Sequence, residues 1–165
     1  MVEFSCFQSP IGLLLIVASK DGVIKISFEN ESIKDADTWC LQHLGIGIIP
    51  GNKYSENAQN QITRYLCGKR KTLNFPVIHL NSPFYKKVLD AERKIPYGET
   101  LSYQDMAMIL KNPKALRAVG GVNANNPLPL YYPCHRIICT DGSLGGFGGG
   151  LKIKKFLLEL ESNNT

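Results

Sequence analysis

The chain lacks any apolar run near the ~18–20 residues that a membrane-crossing helix needs. Its longest, Ile11 to Ala18, is only a strand's length, so neither a membrane span nor a secretory leader is expected. It also lacks cysteine pairing signals. The five cysteines (Cys6, Cys40, Cys67, Cys134, Cys139) form an odd set with no C-x-x-C spacing. That excludes an obvious disulfide framework and points to reduced thiols inside a cell. No internal repeat is visible, and only Gly145-Gly146-Phe147-Gly148-Gly149-Gly150 is compositionally biased.

What is present describes a globular protein: 165 residues, 44% hydrophobic and 20% charged, enough for one ordinary domain or two small ones. The net charge of +5 is unevenly spread. Residues 1–80 hold 8 basic and 7 acidic side chains, whereas residues 81–165 hold 11 and 7. The second half is therefore the part suited to an anionic partner.

The first half reads as strands followed by helices. Val2 to Phe7, Ile11 to Ala18 and Val23 to Phe28 are strands, with Lys20-Asp21-Gly22 as a tight connector. Ala36 to Leu44 and Tyr54 to Leu66 have helical spacing, and Lys69 to Leu80 reads as a closing strand or linker. From Ser82-Pro83 the pattern changes to helices: one to Ile95, one capped by Ser102, one over Lys114 to Asn123, and a last from about Lys152 to Leu160. Two short helices joined at Asn112-Pro113 give a helix-turn-helix outline. The second of them carries Ala118, Gly120 and Gly121, although glycine inside a helix costs about 1 kcal/mol relative to alanine. Two causes are open: tight packing on another helix, or intimate contact with a nucleic-acid groove.

The densest chemistry lies at Asn125-Asn126-Pro127-Leu128-Pro129-Leu130-Tyr131-Tyr132-Pro133-Cys134-His135-Arg136. The prolines predict an extended, rigid backbone under Cys134. Two basic neighbours after a cysteine favour its thiolate, the side chain best suited to attack carbon at neutral pH. A zinc site is not expected. Cys134, His135 and Cys139 are close in sequence, but neighbours on an extended chain face opposite ways and no second ligand pair exists.

Pro133-Cys134-His135-Arg136, with Arg117-Ala118-Val119-Gly120-Gly121 and Asn126-Pro127 before it, resembles the O6-alkylguanine-DNA alkyltransferase family. The resemblance extends through Gly142, Gly145-Gly146-Phe147, Gly149-Gly150-Leu151, Lys154, Leu157-Leu158 and Glu161, and upstream to Pro96-Tyr97-Gly98-Glu99 and Ser102-Tyr103. Residues 1–80 match in outline only, through Ser9-Pro10-Ile11-Gly12 and the strand pattern. The family implies an α+β fold in two lobes, 1–80 and 81–165, the second carrying a winged helix-turn-helix. It implies a single-use transfer of an alkyl group from O6-alkylguanine, or O4-alkylthymine, to Cys134. His135 would act as base through a water, Glu161 would orient His135, Asn126 would brace the turn, and Tyr103 would donate a proton towards the leaving guanine. Arg117, Ala118, Gly121, Asn123 and Arg136 would meet DNA, entering the minor groove and holding the flipped-out site open. Pro129, Tyr132, Phe147, Gly148 and Gly149 would form the substrate pocket.

The family further implies no cofactor, a monomer acting on double-stranded DNA, and a cytoplasmic location in a prokaryote or a nuclear one in a eukaryote. Phe147 stands where a tyrosine is usual and Gly148 where a serine is common, so the pocket loop loses hydroxyls. Pro129 and Gly149 match members with roomy pockets, so bulky groups such as benzyl are expected substrates. Ser19 and Ile24 stand where some members carry zinc ligands. Two alternatives from other classes are a non-catalytic lesion-binding protein and a winged-helix regulator with a thiol sensor. The first lacks the cysteine, and 165 residues leave no room for the second's regulatory domain.

Overall fold

The computed structural model describes residues 1–165, which form two compact units, Met1–Leu80 and Asn81–Thr165. The fold is α+β, with a sheet in the first unit and mainly helices in the second. No helix is long and apolar enough to cross a membrane.

In the first unit β1 (Glu3–Ser9), β2 (Gly12–Ser19) and β3 (Gly22–Ser27) form an antiparallel meander. The short β4 (Ile49–Pro50) adds parallel to β1, giving the order β3-β2-β1-β4. Leu14 through Ala18 are all buried, which explains the unbroken apolar run of β2: it is covered on both faces. Residues 69–80 do not form a strand. They make one parallel bridge, Val23 to Val77, with Val23 N–H donating to Pro76 O at 2.9 Å and Ile78 N–H to Val23 O at 2.8 Å. A Cβ on Gly22 would lie 2.9 Å from the Pro76 backbone, so this approach requires glycine.

Helix α1 (Ile33–Leu44) starts three residues before the expected Ala36, because Ser32 and Asp35 close a capping box: Asp35 N–H donates to Ser32 Oγ at 3.1 Å and Ser32 N–H to Asp35 Oδ2 at 2.9 Å. Its Ala36 and Cys40 pack with Val2, Leu15, Val17 and Ile24. Helix α2 (Glu56–Leu66) buries Ala58, Ile62, Tyr65 and Leu66.

The second unit contains α3 (Pro83–Arg93), β5 (Leu101–Ser102), α4 (Tyr103–Ile109), α5 (Leu116–Ala124), a single 3-10 turn (Cys134–Arg136), β6 (Ile137–Ile138) and α6 (Leu151–Asn163). Ser82 caps α3, with Pro83 in the first turn where its missing N–H is harmless. Ser102 caps α4 through a second box with Asp105. Between α4 and α5 the chain reverses through Lys111, whose φ of 55° lies in the left-handed region. The parallel pairing of β5 with β6, Leu101 to Ile137 and Ser102 to Ile138, is short but positions the chemistry. Tyr103 directly follows β5 and Arg136 directly precedes β6, so two segments ~30 residues apart in sequence are placed side by side.

Cys134 does not lie on extended backbone as the prolines suggested. It opens the 3-10 turn, in which Arg136 N–H donates to Pro133 O at 2.9 Å, while Cys134 N–H donates to Tyr132 O at 2.7 Å. Proline restrains its own φ but leaves its carbonyl free to start a turn.

Candidate active site

The site lies wholly within the second unit and is built around Cys134, which is 5% exposed. Asn126 braces the loop beneath it. The Asn126 amide donates to Tyr132 O at 3.0 Å and its carbonyl accepts from Leu128 N–H at 2.9 Å, closing a loop that includes the strained Leu130 at φ 74°. Behind the cysteine, His135 is fully buried, with Nε2 2.7 Å from Glu161 Oε2. Arg136 donates to both Glu161 oxygens, from Nε at 2.8 Å and from Nη2 at 2.9 Å, and to Ile95 O from Nη1 at 2.7 Å. Gly98 N–H adds a bond to Glu161 Oε1 at 3.2 Å.

Glu161 is thus an ionised hub. Burial alone would raise its pKa, but the hydrogen bonds from His135 and Arg136, with the Arg136 charge, outweigh that and lower it. The ionised carboxylate makes His135 Nε2 the protonated nitrogen and Nδ1 the basic one. Burial lowers the His135 pKa despite Glu161, so the ring is neutral. A neutral, fixed imidazole is a base ready to accept a proton.

In front of Cys134 is a cavity of about 220 Å³. Tyr103 from α4 and Gly120, Asn123 and Ala124 from α5 form one side. Gly146, Phe147 and Gly148 of the glycine-rich loop form the other. That loop is anchored by Lys154, a fully buried lysine whose ammonium donates to Ile137 O at 2.6 Å, Gly146 O at 3.3 Å and Leu144 O. A slot between an aromatic ring and a thin helix suits a flat heterocycle, and the thiol stands at its wall.

The structure brings Cys134, Tyr103, Asn123, Phe147 and Gly148 onto one cavity, with His135 and Glu161 in hydrogen-bond contact behind it. Pro129, Tyr132 and Gly149 do not line it. Pro129 and Tyr132 are buried, Tyr132 lying edge-on against Tyr131, and Gly149 belongs to the loop beyond the cavity wall. Arg136, expected to meet DNA, is instead buried, with its guanidinium hydrogen-bonded to Glu161 and Ile95. Arg117 and Ala118 are exposed and Gly121 is partly so, on one face of α5. A Cβ on Gly120 or Gly121 would meet nothing within 4 Å, so packing inside the chain does not explain those glycines.

A scan of family descriptions matches residues 2–78 to the 6-O-methylguanine DNA methyltransferase ribonuclease-like domain and residues 83–163 to the DNA binding domain of the same family. The methylated-DNA–protein-cysteine methyltransferase of Methanosarcina acetivorans is 35% identical over 162 residues, covering 97% of this chain and 98% of that protein. The constitutive methylated-DNA–protein-cysteine methyltransferase of Bacillus subtilis is 35% identical, covering 98% and 96%. The solved structure of Mycobacterium tuberculosis OGT in complex with DNA superposes with a TM-score of 0.86 at 30% identity, covering 99% of this chain and 94% of that one. The chain belongs to the 6-O-methylguanine DNA methyltransferase family.

For a member of a methyltransferase family the thiol is in an unexpected state. Its basic sequence neighbours do not activate it, since Arg136 is spent on Glu161 and His135 is neutral. Burial, reinforced by the nearby Glu92, pushes the Cys134 thiol up to about 12, against smaller opposing effects of the Asn126 amide and Lys154. Burial therefore favours the protonated thiol over the thiolate in this chain. Two residues that bear on it, Glu92 and Lys154, were not expected to act. Their signal was in the sequence: each sits on an otherwise apolar helical stripe, Glu92 with Val88 and Leu89, and Lys154 with Leu157. No group of three or more His, Cys, Asp or Glu is placed to hold a metal ion.

Proposed function

We propose that this chain repairs double-stranded DNA by moving the alkyl group of O6-alkylguanine, or O4-alkylthymine, onto Cys134, once per molecule and as a monomer. The observation that carries this is the shielded Cys134 thiol at the wall of a base-sized slot, backed by the neutral His135 held by Glu161. In the duplex the alkylated base is stacked and paired, so it must first be flipped out, at a cost of a few kcal/mol. The exposed face of α5 suits that step. Ala118 and Gly121 offer a thin surface for close approach to the minor groove, and Arg117 is free to fill the space the base vacates.

Once the base is in the slot, the thiol proton passes through a water to His135 Nδ1, whose partner nitrogen is held by Glu161. The sulfur attacks the alkyl carbon in line, the S–C bond forms and the C–O6 bond breaks. The purine takes a proton from Tyr103, so that neutral guanine leaves, and Tyr103 regains one from solvent. The product is a thioether, which no group in the site can cleave, so the protein is consumed. Keeping the thiol protonated until a substrate is present suits a single-use acceptor, because a resident thiolate would be spent on stray oxidants and electrophiles.

The test is the intact mass after incubation with a duplex containing O6-methylguanine. The expected result is a gain of one methylene unit, absent in Cys134→Ser; no gain in the wild type overturns the proposal. Labelling by a benzylguanine probe tests whether the slot also takes bulkier groups.

A further inference from the structure

Glu92 of α3 has no part in the chemistry above, and its position is costly. It is completely buried, and an apolar residue on that stripe would be the stable choice. Its neighbours give it a use. Both carboxyl oxygens of Glu92 and both amide atoms of Asn123 are shut off from solvent, and neither group closes a hydrogen bond of ordinary geometry. Yet the Asn123 amide neighbours both Glu92 and Tyr103. It lies close enough to Glu92 and to Tyr103 to favour the charged form of either, and it lines the slot together with Tyr103 and Cys134. Four elements therefore bring Glu92, Asn123, Tyr103 and Cys134 around one side of the cavity.

We propose that Glu92, in its protonated form, is a positioning residue that sets the direction of a hydrogen-bond chain running from Glu92 through Asn123 to Tyr103 and into the base slot. This rests on the role given above to Tyr103 as proton donor. An amide can face either way, and only its neighbours decide which. When Glu92 carries its proton, the carboxyl O–H donates to Asn123 Oδ1. Asn123 Nδ2–H then donates to the Tyr103 oxygen, and the Tyr103 O–H is left pointing at the substrate. When Glu92 is ionised it can only accept, so it draws Nδ2–H to itself. Asn123 Oδ1 then accepts from Tyr103, and the tyrosine proton is turned away from the base. No proton is gained or lost by Asn123 in either state.

The charge state agrees with the first arrangement. Burial pushes the Glu92 carboxyl up to about 8, with Asn123 and Lys154 pulling it part of the way back. The groups that face it are Asn123 from α5, Lys154 from α6, Tyr103 from α4 and Cys134 from the 3-10 turn. Ionised Glu92 would in addition oppose the developing thiolate at Cys134, so both effects have the same sign.

The experiment is single-turnover transfer from a duplex containing O6-methylguanine between pH 6 and 9, in wild type, Glu92→Gln, Glu92→Leu and Tyr103→Phe. DNA affinity is measured in parallel. Glutamine can donate to Asn123 but cannot ionise. The ratio of wild-type to Glu92→Gln rate constants is expected to fall about ten-fold between pH 7 and 9, with DNA affinities matching within two-fold. Glu92→Leu is expected to be slower than Glu92→Gln at pH 7, and adding Glu92→Gln to Tyr103→Phe is expected to change nothing. A pH-independent ratio, or a leucine variant as fast as the glutamine variant, overturns the chain. A Tyr103→Phe variant as fast as wild type removes the donor and the chain with it, leaving transfer to Cys134 intact. Absence of any transfer in wild type overturns the underlying function instead.

Discussion

Gly121 separates stability from DNA binding in a single position. It lies inside α5, yet a Cβ there would meet nothing within 4 Å and its backbone is helical. Replacing a helical glycine by alanine removes about 1 kcal/mol of conformational cost. In a chain of 165 residues that corresponds to a rise in Tm of roughly 2–4 °C. Leucine ranks just below alanine as a helix former, so Gly121→Leu should stabilise almost as much. The two variants should part on DNA. If α5 enters a groove, the methyl of alanine is a small intrusion, while a leucine side chain overpacks the contact by about 1–3 kcal/mol. That is roughly a five- to hundred-fold loss of affinity. Thermal unfolding and fluorescence anisotropy with a labelled duplex at one fixed salt concentration measure both effects. A leucine variant that binds DNA as tightly as wild type would refute groove entry by this face. An alanine variant that melts below wild type would show that the glycine is needed by the fold.

Three further outcomes are expected. Glu161→Gln leaves Arg136 buried without its counter-charge and should cost about 3–5 kcal/mol, read from the urea midpoint, together with a slower transfer. Lys154→Met releases the carbonyls of Ile137, Leu144 and Gly146; the transfer rate should fall while DNA affinity stays within two-fold, because the loop held by Lys154 lines the cavity beside Cys134. Two opposing pH effects on stability are expected. Glu161 and His135 have lowered pKa values, so the unfolded chain binds more protons in acid, and stability is lost as pH drops below about 6.5 and further below about 4.5. Glu92 is raised to about 8, so the folded chain binds the extra proton, and stability is lost as pH climbs from about 4.5 to 8. Urea titrations from pH 4 to 9 should show this decline between about pH 6.5 and 8 in wild type and its loss in Glu92→Leu; an unchanged slope counts against a buried carboxylic acid.

Much of the fold was legible because its signals are local. Ser82-Pro83, Ser102 and the alternation around Lys20-Asp21-Gly22 mark helix starts and a strand reversal through contacts within four residues. Most of what the sequence left out or left open depends on distant partners. β4 is two residues long and exists only beside β1, and the choice between strand and linker left open for 69–80 is settled by Val23, which offers it a single bridge. The 3-10 turn at Cys134 is the local exception: the Pro133 carbonyl accepts from Arg136 N–H three residues on, where the prolines pointed to extended backbone.

The same division runs through the site. The cast was readable along the chain: a cysteine, its histidine and distant Glu161, the small-residue helix with Arg117, and the glycine-rich loop. The sequence also carried the family, since those positions are spaced along one chain. The electrostatics came from the fold. Arg136 looked like a DNA contact and a thiol activator, but a carboxylate 25 residues away takes its charge. Burial raises Cys134 although its neighbours in sequence are basic, and Glu92 becomes an acid only because three helices exclude water around it. Proximity in sequence says which groups exist, whereas a pKa depends on solvent and charges within a few ångströms in space, and those are set by the fold.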